Sequence, residues 1–167
     1  MADILIDRQV LQDVWQRLPE GEERPSTPGS WLYTLPQWQA LGGDEALHLG
    51  PVGLWLETGQ DHEALLPYLA PLQLIAIHFP SFTDGRGHSL ARWLRQHAGY
   101  RGELRAVGDV FRDTVHELSR CGFNAFSPRL GENADNLKKG LDLFSDAYQL
   151  SVDRPEPLFR RRLNGSL

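Results

Sequence analysis

The sequence predicts an α/β protein, and three observations carry that prediction. From residue 52 to residue 148, short apolar runs alternate with stretches of helical periodicity, about four βα units in all. That order favours parallel strands joined by right-handed crossovers, in an open sheet or a half-barrel. The run LeuIleAlaIleHisPhe at 74–79 is apolar at almost every position, as a strand covered on both faces should be. Glycine and proline stand where the runs must turn. At 167 residues, 41% hydrophobic and 23% charged, the chain fits one domain with a substantial core. Residues 1–50 read as a small N-terminal antiparallel β extension, 51–150 as the βα core, and 151–167 as an exposed tail.

In chain order, Ile4, Ile6, Val10 and Val14 alternate loosely, with Asp7-Arg8 as a turn between two short strands. PEGEERPSTPGS at 19–30 has charge and three prolines but no periodicity, and reads as a loop. TrpLeuTyrThrLeu at 31–35 is a strand, and Pro36 opens a short helix to Leu41. Trp31, Trp38 and Trp55 are core or subunit-contact anchors. ValGlyLeuTrpLeuGlu at 52–57 is a strand, and Asp61 can cap a helix to about Leu69, with Pro67 as a break. Leu90, Ala91, Trp93, Leu94 and Ala98 recur at helical spacing, so a helix begins near Ser89 and ends at Gly99. A strand at 104–107, a helix over 110–121 capped by Asp109, and a strand at 123–126 follow. Leu137, Leu141, Phe144 and Tyr148 give a last helix capped by Asn133 or Asp135. Pro155, Pro157 and the run Arg160-Arg161-Arg162 mark the tail.

A formal net charge of −5 and the absence of a long basic run argue against nucleic-acid binding. No apolar run approaches membrane-spanning length, and Asp3 and Asp7 interrupt any signal-like start, so a cytoplasmic location is expected. The single cysteine, Cys121, excludes an intrachain disulfide, a dithiol pair and a cysteine-ligated cluster within this chain.

Ligands of parallel α/β folds bind at the carboxyl ends of the strands. Those ends carry ThrAspGlyArgGlyHisSer at 83–89, then Asp109, Arg112 and Asp113, then Ser127 and Arg129. Two glycines flank an arginine ahead of a helix. Free N–H groups, the helix dipole and a guanidinium make this a candidate oxyanion site of Thr83, Gly85, Arg86, Gly87, His88 and Ser89, with Arg105 and Arg112 as further cations. The alternative is a tight turn in which Asp84 pairs with Arg86 and caps the helix. Asp84 and Asp109 are the candidate general bases. Seven arginines and no lysine fall between Arg86 and Arg120, and they serve either ion pairs on solvated helix faces or an oxyanion. His78 and His88 lack short ligand spacing, so no metal is expected. Neither a P-loop nor a dinucleotide fingerprint is present.

FPSFTDGRGHSLARWLR, GYRGELRAVGDVFRD and RCGFNAF together resemble a bacterial family whose members are described as oxidoreductases involved in assimilatory sulfite reduction. The resemblance is densest over Phe79–Phe126. It departs from the family pattern at His88, Thr114 and Asn124, where tyrosine, glutamine and aspartate are expected. It implies a role in sulfur assimilation and cysteine biosynthesis, with sulfite reductase or another enzyme of that route as partner. Reducing sulfite takes several electrons, and the chain carries no flavin, nicotinamide, haem or cluster motif, so no cofactor is expected and the chain would not reduce sulfite alone. The alternatives are a small α/β enzyme acting on an anionic metabolite and an interaction module without a ligand. A homodimer would cover an open sheet edge.

Overall fold

Eight strands form one open, curled sheet, a half-barrel, in the order β2-β1-β8-β7-β6-β5-β4-β3. The structure, a computed structural model, describes residues 2–42, 44–142, 151–152, 156 and 160, with the side chains of Asp44 and Glu45 excepted. The strands are β1 (Asp3–Ile6), β2 (Gln9–Gln12), β3 (Trp15–Arg17), β4 (Ser30–Thr34), β5 (Val52–Glu57), β6 (Leu74–Phe79), β7 (Glu103–Gly108) and β8 (Ala125–Phe126). From β3 to β8 neighbouring strands run parallel. β1 pairs antiparallel with β8 and with β2. Among the described residues, no helix is long and apolar enough to cross a membrane.

The N-terminal extension is less uniform than predicted. Asp7 and Arg8 make the expected hairpin turn, both at positive φ. The unpredicted β3 then crosses to the opposite edge and joins β4 in parallel. It is only three residues long, too short to show a periodic pattern. The extension therefore supplies both open edges of the sheet, β2 and β3.

The helices are α1 (Leu35–Leu41), α2 (Asp44–Leu47), α3 (Arg86–Gln96), α4 (Val115–Arg120) and α5 (Ala134–Leu141). Thr34 and Gln37 cap α1 reciprocally, and Gly42 ends it at φ 68°. The helix expected after Asp61 is a 3₁₀ segment, Glu63–Tyr68, containing Pro67. Proline lacks the N–H that an α-helical turn requires there. Asp61 instead accepts from the Glu63 N–H at 3.0 Å.

α3 starts at Arg86 rather than near Ser89, so Arg86, Gly87, His88 and Ser89 are its first turn and not a loop. α4 is shorter than the predicted 110–121 helix and Asp109 does not cap it, because that carboxylate is turned toward Phe82 and Arg129. The strand expected at 123–126 is reduced to two residues. α5 carries the Asn133 cap, whose side chain accepts from the Asn136 N–H at 2.8 Å. Phe144, Tyr148, Arg161 and Arg162 lie outside the described residues. Ser151 is buried, and the Val152 N–H donates to Arg120 O at 3.0 Å. Asn133→Ala is expected to cost about 1 kcal/mol, read from urea unfolding. A change under about 0.3 kcal/mol would show that packing alone sets the start of α5.

Strand periodicity divides the side chains between the two faces. Leu54, Leu56, Ile75, Ile77, Leu104 and Ala106 face the helices and meet Leu90, Ala91, Leu94 and Leu118 in the main core. Each fully buried leucine contributes about 1.5–3 kcal/mol of hydrophobic stabilisation. On the concave face, Leu32, Leu74, Ala76 and Val107 form a smaller cluster against Trp15 and Trp55. The sheet is thus covered on the helix side and only partly filled on the concave side.

Several arginines are structural. Arg95 donates to the carbonyls of Gly122, Tyr100 and Gly102 and to Asn124 Oδ1, bolting the end of α3 to β7 and β8. Arg105, 1% exposed, lies between Asp13 and Glu103 on the concave face.

Candidate functional site

The carboxyl ends of β5, β6 and β7 carry three clusters, and the predicted residues fall into them unevenly. The first surrounds Asp84. Its carboxylate accepts from Arg86 Nε at 2.9 Å, Arg86 Nη2 at 2.7 Å, the Arg86 N–H at 3.1 Å and Thr58 Oγ1 at 2.6 Å. These donors hold the Asp84 carboxyl far below the usual carboxylate range, the Arg86 side chain contributing most. The tight-turn alternative therefore describes this pair: Asp84 engages Arg86 and the start of α3.

Gly85 has an ordinary φ of −70° and open space around it. Gly87 is needed for packing, since a Cβ there would lie 2.5 Å from Phe79 Cζ. The Thr83 hydroxyl meets Ser81 at 2.9 Å. Arg86 keeps Nη1 off Asp84, on the side of Gly59, where a Cβ would come within 3.1 Å of it. There Arg86 and Ser89 line a cleft of ≈ 420 Å³ with Thr58, Gln60, His62 and Trp93.

The second cluster is acidic. Asp109 Oδ1 accepts from Arg129 Nη1 at 2.8 Å and Oδ2 from the Phe82 N–H at 2.9 Å, which together hold its carboxyl below the usual range. Asp109, Asp113, Glu117 and His88 line a pocket of ≈ 210 Å³. Burial pushes the His88 imidazole below its ordinary value. A pocket with three carboxylates repels an oxyanion. Among the described residues no group of His, Cys, Asp or Glu is arranged to hold a metal ion.

The third cluster was not anticipated. Glu57 and His78 are register partners at the ends of β5 and β6, and their side chains meet at 2.8 Å. Trp55 Nε1 donates to the other Glu57 oxygen at 2.9 Å, and the Trp55 ring lies 5.3 Å from that of His78. Partial burial raises the Glu57 pKa, but the hydrogen bonds from His78 and Trp55 outweigh it and leave the carboxyl below its usual range. The signal in the sequence was a polar residue at or next to the end of each of two otherwise apolar runs.

Arg105 and Arg112 do not join the Arg86 cluster. Arg105 is on the concave face, and Arg112 is exposed before α4, its carbonyl against Gly140 of α5. One strand register step decides which face Arg105 takes, and it takes the face opposite the helices.

Residues 53–159 match the family described as bacterial protein of unknown function (DUF934), which covers more than half of the chain. No curated protein matches it.

Proposed function

The chain belongs to this bacterial family of unknown function, and we propose that it is an accessory of assimilatory sulfite reduction that binds a small oxyanion and docks on the reductase. The observation that carries the binding step is the geometry of Arg86. Asp84 grips its guanidinium in a two-point fork and fixes the plane, while Nη1 stays off that carboxylate on the Gly59 side, and Arg86 lines the ≈ 420 Å³ cleft together with Ser89. A preorganised guanidinium loses little freedom when it takes up an oxyanion. The sulfur-assimilation role rests on the resemblance over Phe79–Phe126, a span that includes this cleft's Arg86 and Ser89. Docking is favoured by Phe82, 54% exposed and edge-on to Phe111 at 5.6 Å. A homodimer formed through an open edge, β2 or β3, is compatible with both steps.

The enzyme reading has less support, because Asp84 and Asp109 are both held as weak bases by arginine.

Thermal unfolding with sulfite, sulfate and phosphate tests the binding step. At a hundred times its dissociation constant, a ligand stabilises by about 2.7 kcal/mol. We expect such a shift with sulfite in the wild type and none in Arg86→Ala. A flat response to all three anions would remove the oxyanion step. Co-purification with sulfite reductase, lost in Phe82→Ala, would support docking. Normal growth on sulfate by cells lacking the gene, with unaltered reductase activity, would remove the sulfur role.

A further inference from the structure

The described residues of the concave face line a groove of ≈ 560 Å³ that the oxyanion reading does not use. This volume suits a small organic molecule. Its walls and floor are mainly apolar, with Trp15 and Trp55 at the sides and Leu32 and Val107 beneath. Three arginines line it, Arg17, Arg105 and Arg129, together with three carboxylates. Asp13 is paired with Arg105, Asp3 accepts from Gln12 and Glu132 from Asn136. Arg129 is engaged by Asp109, which leaves Arg17 as the cation least committed within the groove. Arg17 lies over the Trp55 ring at 4.4 Å and lines the groove, and its ion-pair partner, Glu20, is 3.5 Å away and 87% exposed. Arg105 lies in the floor, 1% exposed. Its Nη2 has no hydrogen-bond acceptor, although a Glu103 oxygen is 2.7 Å away. An apolar trough with indoles at its sides, a loosely paired guanidinium at the rim and an incompletely paired one in the floor fits a flat ring that carries a negative group.

We propose that the concave groove binds a small aromatic carboxylate, with its ring against Trp15 over the Leu32–Val107 floor and its carboxylate on Arg17. The ring buries apolar surface, and the guanidinium donates two parallel hydrogen bonds to the carboxylate oxygens. Trp55 carries Arg17 on one ring and tethers Glu57 through Nε1, so it holds the cation in place. This site is independent of the Arg86 cleft, and either can fail without the other.

Cinnamate is a suitable probe, followed by the indole N–H signals of the five tryptophans in a heteronuclear NMR titration. The Trp15 and Trp55 signals should move saturably, while Trp31, Trp38 and Trp93 stay still. Binding should weaken about tenfold in Arg17→Gln and in Trp15→Ala, and by a similar factor for the neutral analogue cinnamyl alcohol. Both substituted residues sit on the edge strand β3 and are not fully buried, so folding should survive, and the same spectra report it. Arg86→Ala should leave the titration unchanged. No saturable shift at millimolar cinnamate would overturn the assignment. Equal movement of all five indoles, or equal affinity for the alcohol and the acid, would do the same.

Discussion

Arg105→Met should destabilise the protein by about 3 kcal/mol at neutral pH. Methionine roughly matches the length of the arginine stem, so the loss is chiefly one of charge. Arg105 donates to Asp13 Oδ1 at 2.9 Å and to Glu103 Oε1 at 2.7 Å. Its removal leaves two carboxylates, 21% and 18% exposed, facing each other without a cation. Burial already raises the Glu103 pKa above 4.5, and Arg105 is the main group lowering it. In the variant that pKa rises further. A folded-state pKa above the unfolded value means that the folded protein binds the proton more tightly. The deficit is therefore smallest below about pH 4.5 and grows as pH rises through the folded value. Urea unfolding near pH 4.5 and at neutral pH measures both ends, and Glu103→Gln added to Arg105→Met should recover part of the loss. A deficit below about 1 kcal/mol with no pH dependence would show that the two carboxylates are solvated and need no cation.

Gly108→Ala should be comparably damaging, for a reason of backbone geometry. Gly108 closes β7 at φ 94°, where a side chain is strained. A Cβ there would lie 2.3 Å from Phe79 O and 2.8 Å from His78 Cδ2. That carbonyl already accepts the Asp109 N–H at 2.8 Å, so it cannot retreat without breaking the contact between the ends of β6 and β7. Forced positive φ costs roughly 1–3 kcal/mol. Overpacking adds roughly 1–3 kcal/mol. We expect about 4 kcal/mol in total. The His78 ring would be displaced as well, so the Glu57–His78 contact should loosen, read from the His78 imidazole signals. Gly85→Ala is the matched control. Its φ of −70° and open surroundings predict a change within about 0.5 kcal/mol. Similar stabilities for the two variants would mean that the ends of β6 and β7 do not approach as described.

The predicted oxyanion residues show how far local sequence reaches. ThrAspGlyArgGlyHisSer was legible as a special turn because its glycines and charges are adjacent in the chain, and the alternative Asp84–Arg86 pairing was legible for the same reason. Whether Gly87 cradles an anion or lets α3 press on Phe79 depends on a contact between α3 and β6. Thr58, 26 positions before Asp84, belongs to that site only because β5 and β6 are neighbours. The pairing of Glu57 with His78 was missed for a related reason. Each is a polar residue near the end of an otherwise apolar strand, and only the register makes them partners.

The sequence alone determined the alternation of strand and helix, the mainly parallel sheet and the hairpin at Asp7-Arg8. It also determined the short helix that carries Pro36 in its first turn and the Asn133 cap of α5. These follow from periodicity, proline, glycine and capping residues acting over a few positions. Tertiary structure decided that β3 crosses to the far edge and that the 3₁₀ segment replaces a helix. It also decided that Arg105 faces the concave side and that a groove opens there between Trp15 and Trp55. Those outcomes depend on strand order, register and curl, which bring residues far apart in the chain into contact, and no short window of sequence encodes them.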